Sequence, residues 1–170
     1  HQQPLVITMS QHRRLALLKY PPENDSWKIE DDYDSEFRYR GRPLPALSAL
    51  DKVGRVLYVG TFSKSLFPSV RIGYVVVPEI LMDTFAKMRN IFGQTSSAIT
   101  EEALSNFMDD GGFAEHIRKM RRLYRDRRDI LLNALQENCS NILIPQQTDA
   151  GMHILACLLY TSDAAETLVV

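Results

Sequence analysis

One lysine among small hydroxyl residues, with an arginine seven positions on, marks the stretch best equipped for chemistry: Gly60-Thr61-Phe62-Ser63-Lys64-Ser65-Leu66-Phe67-Pro68-Ser69-Val70-Arg71-Ile72-Gly73-Tyr74. A lysine attacks a carbonyl only as the neutral amine, so it needs surroundings that disfavour the ammonium form. The hydroxyls of Thr61 and Ser63 suit a phosphate, and so does the two-pronged guanidinium of Arg71. The stretch follows the apolar run Arg55 to Gly60, and ligands of open α/β sheets sit at the carboxyl ends of strands. Serine and lysine also fall together on surfaces by chance. Residue types alone therefore leave a solvated loop as open as a reactive amine.

A second stretch, Glu30-Asp31-Asp32-Tyr33-Asp34-Ser35-Glu36-Phe37, is acidic and follows a short strand candidate, Trp27 to Asp31. Positions two apart on a strand share a face, which groups Trp27, Ile29, Asp31 and Tyr33. A carboxylate there would hold a protonated ring nitrogen. Two unit charges about 4 Å apart attract by roughly 4 kcal/mol at an effective dielectric of 20. The alternative is an ordinary solvated acidic turn.

The elements that must carry these groups alternate in type. Met9 to Lys19 reads as a short helix with Ser10 as its N-cap, broken by Pro21-Pro22-Glu23-Asn24-Asp25. Arg55 to Gly60 and Ile72 to Val77 are near-continuous apolar runs, the pattern of parallel strands covered on both faces. From Pro78 the period turns helical, with Ile80, Leu81, Phe85 and Met88 recurring. A helix is expected over Thr100 to Met108, ended by Gly111-Gly112. A long one is expected over Phe113 to Glu137, with Ile117, Met120, Tyr124, Leu131 and Leu135 in one stripe. Short strands follow at Ile142 to Ile144 and Met152 to Leu155. The class is α/β, with a second region beginning near residue 113.

Composition narrows the options. The 170 residues are 45% hydrophobic and 24% charged, which excludes disordered and fibrous classes. With 20 Lys and Arg against 21 Asp and Glu, the net charge of −1 advertises no nucleic-acid surface. The two cysteines build neither a disulfide framework nor a Cys-rich metal site, and His12, His116 and His153 lack metal-ligand spacing, so no metal is expected. No apolar run is long enough to span a bilayer and no signal peptide is recognisable, so a soluble, cytoplasmic protein is expected. Arg118, Lys119, Arg121, Arg122, Arg125, Arg127 and Arg128 crowd one helix, but a period of 3.6 spreads them around it, and a solvated face is expected. Phe107, Phe113 and Tyr124 read as core rather than a stacking platform.

Together the acidic and lysine stretches resemble the pyridoxal-phosphate site of fold-type I aminotransferases, with acid, tyrosine, lysine and arginine in that family's order. The resemblance is closer to the MocR subfamily of GntR-type transcription regulators, carried by EDDYDSEFRY, GRPLPAL, YVGTFSK and LFPSVRIGY, and by HQQP and TMSQHRR at the start. It covers roughly residues 1 to 156. It implies a partial fold-type I aminotransferase large domain, a mostly parallel sheet with helices on both faces, over 1–112. A linking helix and the start of a small α+β domain would occupy 113–156.

By position, the resemblance makes Lys64 the residue that forms an aldimine with pyridoxal 5'-phosphate. Asp31 would pair with the pyridine nitrogen, in preference to Asp32, and Tyr33 would donate to the phenolic oxygen. Arg71 would grip the phosphate, helped by Thr61 or Ser63. The implied protein senses an amine or the cofactor, binds DNA through a winged helix-turn-helix preceding His1, and forms a homodimer. A working aminotransferase, of 2-aminoadipate or aromatic amino acid type, is the alternative. Four positions depart from the family pattern without removing a chemical group: Val6 in place of glycine, Lys28 in a strand expected to be buried, and Pro21-Pro22 within a helix. Cys157 to Glu166 has no family counterpart and looks like translated sequencing-adapter read-through, so 157–170 is expected to be a non-native tail. As a real continuation, Cys157 to Tyr160 would extend the last strand and Ser162 would cap a short helix.

Overall fold

The computed structural model describes residues 9–20, 26–41, 44–93, 96–146, 150–159 and 167–169, the last three as backbone only. Val6, the break at Pro21 to Asp25 and the Ser162 cap lie outside the described residues. The chain divides into two compact units, one within 9–33 and 44–113 and the other within 34–43 and 114–170.

In the first unit, helix α1 spans Gln11–Lys19, and the Ser10 side chain accepts from the Arg13 N–H at its start, as the sequence predicts. Strand β1 is Lys28–Asp32, one residue later than expected. The short helix α2, Leu47–Leu50, has no cap from its own N-cap residue. The Glu30 carboxylate does that work, accepting from the N–H groups of Leu47 (2.8 Å) and Ser48 (3.1 Å) and pairing with Arg14 of α1. A carboxylate suits that end of the helix dipole. Strand β2, Val56–Thr61, runs parallel to β1, with Asp31 opposite Val59 and Asp32 opposite Gly60. Asp51 starts it by accepting from the N–H groups of Val53, Arg55 and Val56.

One turn of helix, α3 (Phe62–Ser65), follows, then a 3-10 turn at Pro68–Val70 and strand β3, Gly73–Val76. The apolar run Ile72 to Val77 led to a buried parallel strand. Instead β3 is antiparallel to β2 and all four of its residues are exposed. Apolarity reports a preference for burial, not strand direction. Likewise β1 is not buried on both faces: its residues alternate between half-buried and exposed, and half-buried Lys28 fits that strand. A 3-10 turn at Glu79–Leu81 leads into α4 (Met82–Phe92), and α5 covers Ala98–Asp109. A small core of Val70, Ile72 and Leu104, with Phe62 and Leu66 against it, anchors the segment between β2 and β3.

Gly111, at φ 76°, makes the turn after α5. Gly112 does not end that helix but begins α6, Gly112–Cys139. The ring of Phe107 lies where a Cβ on Gly112 would stand, 2.4 Å from the nearest ring carbon. Phe107 is nonetheless 38% exposed rather than core, whereas Phe113 packs edge-on to Phe62.

In the second unit, α6 carries buried Ile117 with half-buried Met120, Tyr124, Leu131 and Leu135, the stripe read from the sequence. Tyr124 packs edge-on to fully buried Phe37. Arg121 donates to the Glu36 carbonyl (2.8 Å), and Arg128 lies over the Tyr39 ring, 4.6 Å from its centre. These two arginines correct the expectation of a wholly solvated basic face; Arg118, Lys119, Arg122, Arg125 and Arg127 are exposed. Burial, opposed by Arg128, pushes the Tyr39 hydroxyl up to about 12. Strands β4 (Leu143–Pro145), β5 (Leu155–Leu158) and β6 (Thr167–Val169) form an antiparallel sheet in that order. Met152 to Ile154 precede β5 rather than forming the strand. Cys157 and Leu158 lie within it, with Cys157 opposite Ile144 and Thr167.

Candidate functional site

The sequence-derived residues Asp31, Tyr33, Thr61, Ser63, Lys64 and Arg71 all fall in the first unit. They stand at or just beyond the carboxyl ends of the parallel strands β1 and β2. Partners across a parallel ladder share a face, and alternate residues along a strand share it too. Asp31 opposite Val59 therefore shares a face with Thr61, while Asp32 opposite Gly60 looks out from the other. The burial of β1 follows that split: Ile29 and Asp31 are exposed, and Lys28, Glu30 and Asp32 are half-buried.

The two adjacent carboxylates are used differently. Asp32 accepts from the Tyr58 hydroxyl at 2.8 Å. Burial, then the Asp32 carboxylate and the neighbouring Tyr74, push the Tyr58 hydroxyl far above the ordinary tyrosine range, so it stays a donor. Tyr74, opposite Gly60 on β3, packs its ring on those of Tyr58 and Phe62. That ring occupies the place of a Gly60 Cβ, 2.4 Å from the nearest ring carbon. No partner for the Asp31 side chain is found among the described residues.

The lysine turn is built from β2 outward. The Thr61 hydroxyl caps α3 by accepting from the Ser63 N–H (3.1 Å) and donates to the Ile72 carbonyl (3.3 Å). Through these two bonds Thr61 shapes the turn. The Ser63 hydroxyl has no such bond among the described residues. Lys64 follows in this capped turn and is exposed. Arg71 sits between buried Val70 and Ile72 at φ 49°, the one non-glycine residue with positive φ among the described residues. That left-handed geometry is uncommon for a residue other than glycine, and Arg71 is exposed. Tyr33 lies one residue beyond the end of β1, so strand alternation does not extend to it. The sequence reading missed Tyr58: its place two residues before Gly60 puts it on that residue's face, but only the register of β1 on β2 brings that face to Asp32.

Residues 27–156 match the family described as aminotransferase class I and II. The chain belongs to that family. The aminotransferase-like chain is 45% identical over 155 residues to the probable rhizopine catabolism regulatory protein MocR of Rhizobium meliloti, covering 91% of this chain and 31% of that protein. It is 42% identical to the uncharacterized HTH-type transcriptional regulator YhdI of Bacillus subtilis, covering 99% of this chain and 36% of that one. It thus spans about a third of the length of these relatives, and the resemblance to MocR-type regulators holds over nearly all of it. Among solved structures, the Pyrococcus horikoshii kynurenine aminotransferase superposes with a TM-score of 0.81 at 34% identity, over 93% of this chain and 39% of that one. The fold is α/β, part of the fold-type I aminotransferase architecture. No helix among the described residues is long and apolar enough to cross a membrane, and no three His, Cys, Asp or Glu among them group as metal ligands would.

Proposed function

We propose that this chain is the cofactor-holding part of an aminotransferase-like effector domain in a pyridoxal-phosphate-dependent bacterial transcription regulator. The observation that carries this reading is the split of the Asp31-Asp32 pair onto opposite faces. It leaves Asp31 on the side of Thr61, whose hydroxyl shapes the lysine turn. The residues fit pyridoxal 5'-phosphate: a carboxylate for the ring nitrogen, an amine for the aldehyde, and the Ser63 hydroxyl and exposed Arg71 for the phosphate. When bound, the cofactor supplies a carbonyl that captures amines and an electron-withdrawing ring.

In this reading Lys64 anchors the cofactor through Nζ, Asp31 keeps a proton on the ring nitrogen, Tyr33 donates to the phenolic oxygen, and Arg71 neutralises the phosphate. An amine taking the lysine's place makes contacts that Lys64 does not, and only such differential contacts shift a conformational equilibrium. The effector is then an amino compound or the cofactor itself. DNA is bound by a winged helix-turn-helix elsewhere in the protein, which works as a cytoplasmic homodimer. The likeness to kynurenine aminotransferase supports a second reading, a working aminotransferase, in which Lys64 also moves the proton of the substrate's alpha carbon. The sequence preceding His1 separates the two: a winged helix-turn-helix there favours the regulator.

Borohydride reduction of the cofactor-loaded full-length protein carrying this sequence, followed by peptide mapping, tests the reading. The pyridoxyl group is expected on Lys64, and finding it on any other lysine overturns the assignment.

A further inference from the structure

Two adjacent aspartates at the end of β1 make its register ambiguous in a costly way. A one-residue slip against β2 exchanges the faces of Asp31 and Asp32, so either would present a carboxylate on the side of Thr61. Backbone hydrogen bonds do not discriminate between the two registers, so side chains must. Glu30 ties β1 to α1 and α2, not to its neighbour strand. At the start of the two strands Arg55 lies over the Trp27 ring, and at their carboxyl end the side-chain tie that involves the aspartate pair is the Tyr58–Asp32 hydrogen bond, a diagonal pair, since Tyr58 stands opposite Glu30. Tyr58 is itself placed by Tyr74, whose ring centre lies 6.1 Å away and whose own place opposite Gly60 on β3 is open only because residue 60 has no Cβ.

We propose that Tyr58 is a positioning residue: by holding Asp32 on the far face it locks the β1–β2 register that presents Asp31 to the cofactor's ring nitrogen. The proposal rests on the cofactor reading above and adds to it a residue that touches neither cofactor nor substrate. Burial and the carboxylate keep the Tyr58 hydroxyl protonated, so the tie does not loosen near neutral pH.

The test uses the full-length protein carrying this sequence, with Tyr58→Phe, Asp32→Ala, Asp32→Asn and the double variant Tyr58→Phe/Asp32→Ala. Three quantities are measured: Kd for pyridoxal 5'-phosphate, the pH midpoint of the bound cofactor's absorbance, and Tm without cofactor. Tyr58→Phe and Asp32→Ala should each weaken binding about tenfold, the scale of one charge-assisted hydrogen bond. Each should also lower the pH midpoint, because a displaced Asp31 stabilises the ring's proton less. The double variant should lose no more than either single one, as expected of two residues acting through one bond. Asp32→Asn, whose amide oxygen still accepts from Tyr58, should stay within about twofold of the parent.

Wild-type affinity and midpoint in Tyr58→Phe, with or without a lower Tm, would overturn the proposal. If Tyr58→Phe does not fold, equal affinities in Asp32→Ala and Asp32→Asn do the same. Failure of the underlying reading is distinguishable, because Asp31→Asn would then leave cofactor affinity intact.

Discussion

On one face of the sheet β1–β2–β3, Glu30 caps a helix, Asp32 holds a tyrosine hydroxyl and Tyr74 fills the space over Gly60. On the other, Ile29 is 72% exposed and Asp31 stands beside it in the open. Both faces come from the same strands and differ by a step of one residue. The polar groups of the first face are matched to partners within the unit, so their chemistry is used up in building it. On the second face Thr61 is used in shaping the lysine turn, but Asp31 is placed by the same strands without being consumed by them. A surface on which charged groups are oriented without being satisfied is where a ligand finds contacts.

The contrast is broken most directly at the aspartate pair. Asp31→Ala should weaken pyridoxal 5'-phosphate binding by more than about 100-fold, since it removes most of an attraction of roughly 4 kcal/mol. Asp32→Ala should cost about tenfold, through the tie to Tyr58. Fluorescence titration of the two variants reads the difference, and a larger loss at Asp32 would mean that the faces are assigned the wrong way round.

A second change attacks the packed face alone. Gly60→Ala puts a methyl group where the Tyr74 ring lies, 2.4 Å from its nearest carbon, so the ring must move. A loss of about 1–3 kcal/mol, the usual cost of overpacking, should appear in urea denaturation. An unchanged midpoint would show that Tyr74 swings away freely and locks nothing.

Arg71 tests the open face in the opposite sense. Glycine is at ease at φ 49°, so Arg71→Gly should leave Tm nearly unchanged while weakening cofactor binding about tenfold. Parallel losses of stability and affinity would make Arg71 a structural residue.

The smallest effect is expected at Asp51, remote from both faces. Burial pushes its carboxyl up, but N–H groups of Val53, Arg55, Val56 and Gly54 outweigh this and leave it below the ordinary carboxylate value. A carboxylate depressed in the folded state adds stability above the unfolded value of about 3.9 and loses it as pH falls through the folded one. Asp51→Asn should therefore cost about 1 kcal/mol at neutral pH and less as acid protonates the carboxylate, as read by urea melts at falling pH.

Much of this arrangement is legible in the sequence because it depends on short-range periodicity. The Ser10 cap, the α6 stripe and the separation of Asp31 from Asp32 all follow from spacings of two to four residues. What was not legible depends on contacts between distant segments. Strand direction was misjudged for β3 because an apolar run does not encode which neighbour it joins. Arg121 and Arg128 looked solvated because Glu36 and Tyr39, which they engage, lie more than 80 positions away. Gly112 is a local exception: it read as a helix terminator because the sequence does not show which way the nearby Phe107 ring, which excludes its Cβ, is turned. Tyr58 was passed over because its hydroxyl is hidden in an otherwise apolar strand.

The central claim is that the cofactor lies on the Asp31 face and is joined to Lys64. A crystal structure of the full-length protein with pyridoxal 5'-phosphate measures this directly. Density should run from Lys64 Nζ to the cofactor, with the ring nitrogen within hydrogen-bond distance of the Asp31 carboxylate and Asp32 still bonded to Tyr58. A ring nitrogen paired with Asp32, or a cofactor joined to another lysine, would contradict it.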